Sequence, residues 1–217
     1  MAIWTGRELA FFMAGGSCVS LAWLVSTALD SVQVRRWRDG ARGERFTAAA
    51  LRHLHGDGWR CVDDVPLDGW NVDHVAAGPG GIYAVETKWT NEPWDLVTGR
   101  FKNRHAQNAT RQAQRGAQRI ASMLKANYDL VADVQPLLVI WGPGQPNLDR
   151  PTLVDGVRVV TGSHLTTALK NTACVVDNER RDEIINAIDH MVSLHEEWEH
   201  VRSHRPRLVD VSSRRAS

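Results

Sequence analysis

Two carboxylates and a lysine lie on either side of a glycine-rich turn. Asp73 precedes the turn at 78–81 (Gly-Pro-Gly-Gly), and Glu86 and Lys88 follow it. A hairpin that pairs position 78 with position 81 also places Asp73 opposite Glu86, and side-chain alternation puts Lys88 on the face of Glu86. Two opposed carboxylates repel each other, so this arrangement predicts a site for a hard divalent cation beside an ammonium group that acts on water.

An ordinary cross-strand ion pair on a solvated sheet face is the alternative use of these side chains. The residues at 82–85, Ile-Tyr-Ala-Val, are too apolar for a typical exposed edge strand. Lysine also supplies only 4 of the 26 basic residues, so a purely structural cation would more often be arginine. Both observations favour the metal site.

Hydrophobic periodicity predicts the elements that position these residues. An apolar stripe predicts a helix over 41–55, and Gly-Asp-Gly at 56–58 ends it. The remaining core elements are strands over 59–65, 70–77 and 82–89, a long helix over 104–127 and a buried strand over 136–141. We further expect a strand over 157–160, helices over 163–170 and 179–200, and a disordered basic tail from Ser203.

Several segments in this order resemble one family: Gly40-Ala-Arg-Gly43-Glu44, Asn71-Val72-Asp73-His74-Val75, Val85-Glu86-Thr87-Lys88 and Gln112-Ala113. They are similar to the nuclease-related (NERD) domain of the PD-(D/E)XK nuclease superfamily, and the resemblance ends near Trp141. It implies an α/β fold with a restriction-endonuclease-like αβββαβ core, in which helices flank a mixed sheet. The helix–three strands–helix–strand order found from periodicity agrees with that core.

The resemblance also implies a role for each matching residue. Asp73 and Glu86 would ligate Mg²⁺ or Mn²⁺, and the carbonyl of Thr87 would be a further ligand. Lys88 would orient the attacking water, and Glu44 would lie near the metal from the first helix.

Three further positions have competing interpretations. Glu44 lies one heptad before Leu51, which predicts an inward orientation, but an acid favoured by the helix dipole explains it equally well. Gln112 would contact a phosphate or a water, although a solvated helix position is the commoner use of such a residue. His74 falls on the strand face opposite Asp73, which indicates a structural role or one beside the metal ligands.

Charge patterning indicates the substrate class. The net charge of +1 gives no whole-protein field, but no acid occurs between Asp95 and Asp129, where seven basic residues lie. Arginines recurring every four residues predict a basic stripe on the long helix. An unmixed stripe beside a metal site indicates phosphate contacts, which we expect from Arg104, Arg111, Arg115 and Arg119.

Composition excludes several classes. The 217 residues are 43% hydrophobic and 24% charged, which rules out wholesale disorder. The three cysteines lie far apart without a C-x-x-C pair, which argues against a disulfide framework or a cysteine-rich zinc module.

We predict an anchor and basic juxtamembrane segment over 1–38, the nuclease domain over 39–175, and a helix with a basic tail over 176–217.

The N-terminal segment predicts a membrane anchor. The 21 residues from Leu9 to Leu29 contain no charge, and arginines follow them from Arg35 onwards. Such a run is long enough to cross a bilayer, and the positive-inside rule places the rest of the chain in the cytoplasm. A cleaved signal peptide and a buried N-terminal helix are the alternatives.

These features predict a membrane-anchored nuclease that uses Mg²⁺ or Mn²⁺ to hydrolyse phosphodiester bonds, with DNA as the favoured nucleic acid. The alternative is a non-catalytic nucleic-acid-binding or tethering module that retains the fold. A small-molecule phosphoesterase is disfavoured because no P-loop glycine motif is present. The sequence does not indicate an oligomeric state.

Overall fold

The computed structural model describes residues 34–35, 37–67, 69–173 and 176–203, without the side chains of 198, 199 and 201–203. Its helices are α1 (37–52), α2 (Arg104–Tyr128), α3 (Leu165–Lys170) and α4 (Asn178–Ser203). Its strands are β1 (Arg60–Leu67), β2 (Trp70–Gly78), β3 (Gly81–Trp89), β4 (Leu96–Val97), β5 (Arg100–Phe101), β6 (Val134–Trp141), β7 (Thr152–Val154) and β8 (Val157–Thr161).

Six of these strands form one mixed sheet in the order β1-β2-β3-β6-β8-β7. The strands β1, β2 and β3 form an antiparallel meander, and α2 then carries the chain to β6, which pairs parallel to β3. The strand β8 pairs parallel to β6, and β7 closes the sheet as an antiparallel edge. The predicted mixed sheet flanked by helices, with its helix–three strands–helix–strand core, is therefore confirmed.

The longer predicted elements lie within a few residues of those observed. Helix α2 ends one residue beyond the predicted 104–127, and α1 ends at position 52, before a short 3-10 turn at His55–Asp57. The hairpin of β4 and β5 and the edge strand β7 had no prediction. Strands of two or three residues are too short to show a period of two.

Side-chain alternation divides the sheet into two buried faces. Tyr83 and Val85 belong to the cluster that packs under α1 and α3, whereas Ile82 and Ala84 belong to the cluster under α2 and α4. The same alternation continued along β3 directs Glu86 and Lys88 towards the α2 side and Thr87 towards the α1 side.

A small residue and a hydroxyl hold α1 over the ends of β3 and β6. A Cβ at Gly43 would lie 3.3 Å from Cγ2 of Thr87, so the helix approaches the strand closely here. One turn later the fully buried Thr47 accepts hydrogen bonds from Thr87 Oγ1 at 3.0 Å and from Trp141 Nε1 at 2.8 Å. Each such bond contributes about 1 kcal/mol, and the pair fixes α1 beside the strand that carries Glu86.

Small residues likewise bring α2 close to β2 and β3. Its buried positions include Ala109, Ala113 and Ala117, and a Cβ at Gly116 would lie 3.3 Å from Cγ2 of Val72. The Asn103 side chain caps the helix by accepting a hydrogen bond from the backbone amide of residue 105 at 2.7 Å. This close packing places the exposed side of α2 next to the polar ends of β2 and β3.

No helix within the described ranges combines the length and the hydropathy needed to cross a bilayer. The predicted span from Leu9 to Leu29 and the basic tail after Ser203 lie outside those ranges. The predicted segment boundaries at 38–39 and 175–176 stay predictions.

Candidate active site

The strands β2 and β3 separate where the predicted active site begins. Their ladder runs from Gly78 paired with Gly81 to His74 paired with Val85, which is the register expected from the turn. The described ladder ends there, one position before Asp73 would pair with Glu86. Instead, Oδ2 of Asp73 accepts a hydrogen bond of 2.6 Å from the backbone amide of Thr87. A side chain thus replaces the missing strand partner of that amide.

This hydrogen bond also shows where the Thr87 carbonyl points. In an extended strand, the N–H and C=O groups of one residue point to the same side. Because the Thr87 amide points to Asp73, its carbonyl oxygen faces the same gap between β2 and β3. The predicted backbone ligand and the predicted carboxylate ligand are therefore on the same side of β3.

Glu86 and Lys88 form an ion pair at the edge of this gap. Glu86 is 3% exposed, and its Oε1 atom is buried. The Lys88 ammonium contacts that oxygen directly as an ion pair. The Lys88 side chain remains 34% exposed, so its ammonium lies between the buried carboxylate and solvent.

Three carboxylates influence one another here. Burial and then the charge of Asp73 raise the pKa of Glu86 to about 7, although the Lys88 charge opposes this shift. Burial also raises the pKa of Asp73 against the hydrogen bond from Thr87, and burial together with the Asp73 charge raises the pKa of Glu44. All three shifts have the same sign because burial, the largest cause of each, disfavours the charged form of an acid.

The structure places Glu44 at the rim of this site and Gln112 beside it. Glu44 is exposed on α1, unlike the expected inward orientation, yet its charge acts on Glu86. Gln112 is partly buried on α2 and lines an open cleft of about 1440 Å³ together with Asp73 and Arg119. Whether Glu44 and Gln112 take part in chemistry stays a prediction.

The basic stripe has one member in the cleft and three outside its lining. All four predicted arginines are exposed on α2: Arg104, Arg111, Arg115 and Arg119. The guanidinium groups of Arg111 and Arg115 donate to backbone carbonyls one turn earlier, at 3.3 and 3.4 Å, so they lie back along the helix. Arg119 is the member that lines the cleft with Asp73.

The oxygen atoms at the strand gap fit a hard divalent cation. Asp73 and Glu86 offer carboxylates, and Thr87 offers a carbonyl, which are the donors that Mg²⁺ and Mn²⁺ prefer. Burial raises the pKa of both acids, and the charge of Asp73 raises that of Glu86 further, so the opposing charge of Lys88 compensates the two carboxylates only in part. A bound dication would supply the missing positive charge.

Two supporting contacts were not foreseen from the sequence. Thr47 joins α1 to partners 40 and 94 residues away, and no local pattern indicates such distant pairs. His74, predicted to be structural or to lie beside the metal ligands, is 3% exposed, and its Nδ1 atom lies 2.7 Å from Oδ1 of Asp63. Its position directly opposite Asp63 in the β1–β2 ladder follows from a register that the sequence alone did not reveal.

A mixed sheet flanked by helices, with two acids and a lysine at adjacent strands, is consistent with the PD-(D/E)XK class of nucleases. Residues 39–141 match the family model of the nuclease-related domain, NERD. This match over residues 39–141 confirms the resemblance and indicates a nuclease-related function. No match was found among curated proteins or among solved structures.

The raised pKa of Glu86 predicts that the metal-free protein loses stability as the pH rises. An unfolded glutamate titrates near 4.5, whereas folded Glu86 titrates near 7, so between these values the folded state binds more protons. Neutralising this residue by Glu86→Gln should remove that loss. In EDTA, the stability of the variant relative to wild type should rise between pH 4.5 and 7.5, by up to about 3 kcal/mol.

Urea unfolding at both pH values measures this difference. The control is Asp149→Asn, which neutralises an exposed carboxylate outside the site. If the stability difference between Glu86→Gln and wild type stayed constant with pH, as in the control, the pKa of Glu86 would not be raised in the folded protein.

Proposed function

We propose that this chain is a membrane-anchored, divalent-metal-dependent nuclease that hydrolyses phosphodiester bonds of nucleic acid, with DNA as the favoured substrate. The observation that carries the proposal is the grouping of Asp73, Glu86 and Lys88 where β2 and β3 separate. These residues resemble the acid–acid–lysine set of the family and lie within the matched range 39–141, and Asp73 opens onto a cleft large enough for a polymer strand.

Asp73, Glu86 and the carbonyl of Thr87 would hold the cation, Mg²⁺ or Mn²⁺. When bound, such an ion polarises a phosphoryl oxygen and favours ionisation of water near neutral pH. The chain contributes rigidity, because Asp73 is bound to the Thr87 amide and Thr87 is bound to Thr47. Ligands that are already held in place lose little conformational freedom when a cation binds.

Lys88 would position the attacking water. Its ammonium is held by Glu86 and its side chain remains one-third exposed, so it can donate a hydrogen bond to a water at the mouth of the site. As the water oxygen bonds to phosphorus and the bond to the leaving oxygen breaks, positive charge nearby stabilises the phosphate. The compact ammonium suits this position between a buried acid and solvent.

The cleft supplies a path for the nucleic acid. Arg119 and Gln112 line it on the α2 side, and Arg119 would contact a phosphate next to the scissile bond. Arg104, Arg111 and Arg115 continue the positive surface along the exposed side of α2. Such contacts bind the backbone and are independent of base sequence.

Membrane anchoring is supported by the sequence of the N-terminal segment. The uncharged run from Leu9 to Leu29 is followed by arginines, and the nuclease domain begins shortly after them. An anchor there, with the domain in the cytoplasm, would keep the enzyme at the inner surface of the membrane.

The first test separates the metal ligands from Lys88. Asp73→Asn and Glu86→Gln should abolish both Mg²⁺ binding and cleavage, because each removes an anionic ligand. Lys88→Ala should retain Mg²⁺ binding but lower the cleavage rate at least about 100-fold, because the attacking water loses its donor. Lys88→Arg should not restore the rate, since a planar guanidinium differs in shape and hydration.

Calorimetric Mg²⁺ titration and cleavage assays on labelled DNA and RNA measure these effects. The control is Lys170→Ala, which removes another partly exposed lysine that pairs with an acid, Asp57. If Asp73→Asn bound Mg²⁺ and cleaved as wild type does, the nuclease proposal would be wrong. Nucleic-acid binding without cleavage by wild type under any divalent ion would favour the non-catalytic binding module.

The second test concerns the basic stripe. The triple change Arg111→Ala, Arg115→Ala and Arg119→Ala should weaken binding to all nucleic-acid sequences alike. Each lost phosphate contact should reduce the slope of log K against log salt by about 0.9. Binding is measured over a salt series in the Asp73→Asn background, so that cleavage does not interfere.

Arg150→Ala is the matched control for the stripe, because it removes an exposed arginine from another part of the surface. A triple variant with the salt slope of this control would identify the stripe as an ordinary solvated helix face.

The third test concerns the anchor. The full-length chain should fractionate with membranes. Of two reporters fused to the C-terminus, one that is active only in the cytoplasm should show activity, and one that is active only outside it should not. Deleting residues 1–30 should release the protein, because the uncharged run is removed. Release of the full-length chain by a salt wash alone, or activity of an extracytoplasmic reporter, would contradict this topology.

A further inference from the structure

A second group of potential metal ligands lies on β1 and β2, outside the nuclease site. The Cys61 thiol, a carboxylate oxygen of Asp63 and a ring nitrogen of His74 lie within 4.8 Å of one another. Cys61 Sγ is 3.4 Å from Asp63 Oδ1, and that oxygen is 2.7 Å from His74 Nδ1. These three side chains, termed here the Cys61 cluster, have had no role so far.

Strand geometry brings this cluster together. Cys61 and Asp63 are two residues apart on β1 and therefore share a face, and Asp63 pairs directly with His74 across the ladder. Cys61 packs against the hydrophobic cluster beneath α1, whereas alternation directs Glu86 and Lys88 to the α2 side. The Cys61 cluster and the nuclease site are thus on opposite faces of the sheet.

The donor set differs in kind from that of the nuclease site. It combines one sulfur, one nitrogen and one oxygen, whereas the nuclease site offers oxygen alone. Thiol and imidazole ligands select Zn²⁺ and similar borderline ions over Mg²⁺. Burial, followed by the charge of Asp63, raises the pKa of the Cys61 thiol, so the thiol is protonated without a metal and must release its proton when a cation binds.

The S···O and N···O distances of the cluster can be compared with those of a tetrahedral site. Bonds of about 2.0 Å to nitrogen and oxygen and about 2.3 Å to sulfur imply ligand separations of about 3.3 Å for N···O and 3.5 Å for S···O. The observed S···O distance already agrees, and the N···O distance needs to open by about 0.6 Å on the same scale. Small side-chain rotations achieve such a change.

Burial and neighbouring charge also define the site. His74 is 3% exposed, and the ring nitrogen that it offers to the cluster is Nδ1, which faces Asp63 Oδ1. The Asp63 side chain is 47% exposed, which leaves an entry path and room for a water as the fourth ligand. Arg52 lies 3.7 Å from Oδ2 of Asp63, so it uses the oxygen outside the cluster.

We propose that Cys61, Asp63 and His74 bind one Zn²⁺-class transition-metal ion on the face of the sheet opposite the nuclease site. This ion clamps β1 to β2 at the residue next to Asp73. It is a structural ion, distinct in ligands and in metal preference from the Mg²⁺ or Mn²⁺ of the nuclease site. The site exists whether or not the chain is a nuclease.

Cobalt is the probe that tests this site, because a Co²⁺–thiolate bond absorbs in the near ultraviolet and oxygen ligands do not. The sample is the full-length chain with the changes Cys18→Ser and Cys174→Ser, kept in detergent. Cys61 is then its single thiol. Co²⁺ should produce a thiolate band that saturates near one equivalent. Zn²⁺ should abolish the band, whereas a large excess of Mg²⁺ should leave it unchanged.

Variants then identify the ligands. Adding Cys61→Ser should remove the band, and Asp63→Asn or His74→Gln should weaken Co²⁺ binding at least tenfold. Because His74 is buried and its variant risks misfolding, the half-exposed Asp63 provides the independent measurement. The pair Asp73→Asn and Glu86→Gln should leave the band unchanged, which separates this site from the proposed nuclease site.

Zn²⁺ should also raise the melting temperature of the Cys61-only protein but not of its Cys61→Ser variant. Absence of the thiolate band when Cys61 is verified as reduced would overturn the proposal. A band whose Co²⁺ affinity is unaffected by both Asp63→Asn and His74→Gln would also overturn it, because the sulfur would then bind cobalt without the cluster.

Discussion

The separation of β2 from β3 is the constraint on which the site depends. Beyond His74 the two strands no longer pair, and the Asp73 carboxylate takes the hydrogen bond of the Thr87 amide. Without this gap, backbone hydrogen bonds would close the space between the two strands. The gap also turns the Thr87 carbonyl towards Asp73, so one hydrogen bond organises both the carboxylate and the backbone oxygen of the site.

The unfavourable burial of acidic groups is confined to the site, so it is compatible with a stable fold. Glu86 is buried, but an ion pair to Lys88 offsets part of the desolvation cost. Around it, α1 and α2 are held by small residues and by the Thr47 hydroxyl, which depend little on charge. The scaffold therefore remains rigid while its acids are poorly compensated, and such under-compensated acids are typical of sites that bind cations.

The two faces of the sheet carry different chemistry for the same geometric reason. Neighbouring residues of β2 join different groups, because Asp73 accepts a hydrogen bond from the Thr87 amide whereas His74 contacts Asp63. One side collects hard oxygen donors next to a cleft with Arg119. The other collects sulfur, nitrogen and oxygen against an apolar helix interface. If both bind metal, the β1–β2 ladder mechanically links the two ions.

The amino-acid sequence by itself determined the long elements, the hairpin register and the grouping of Asp73, Glu86 and Lys88, because periodicity and a glycine-rich turn are local signals. It also determined the family resemblance, which rests on ordered short motifs. Only the tertiary structure decided where the β2–β3 ladder ends, that Glu44 is exposed, and that Thr47 and the Cys61 cluster assemble. Those features depend on contacts between residues distant along the chain, and on pairing between strands whose register no local pattern specifies.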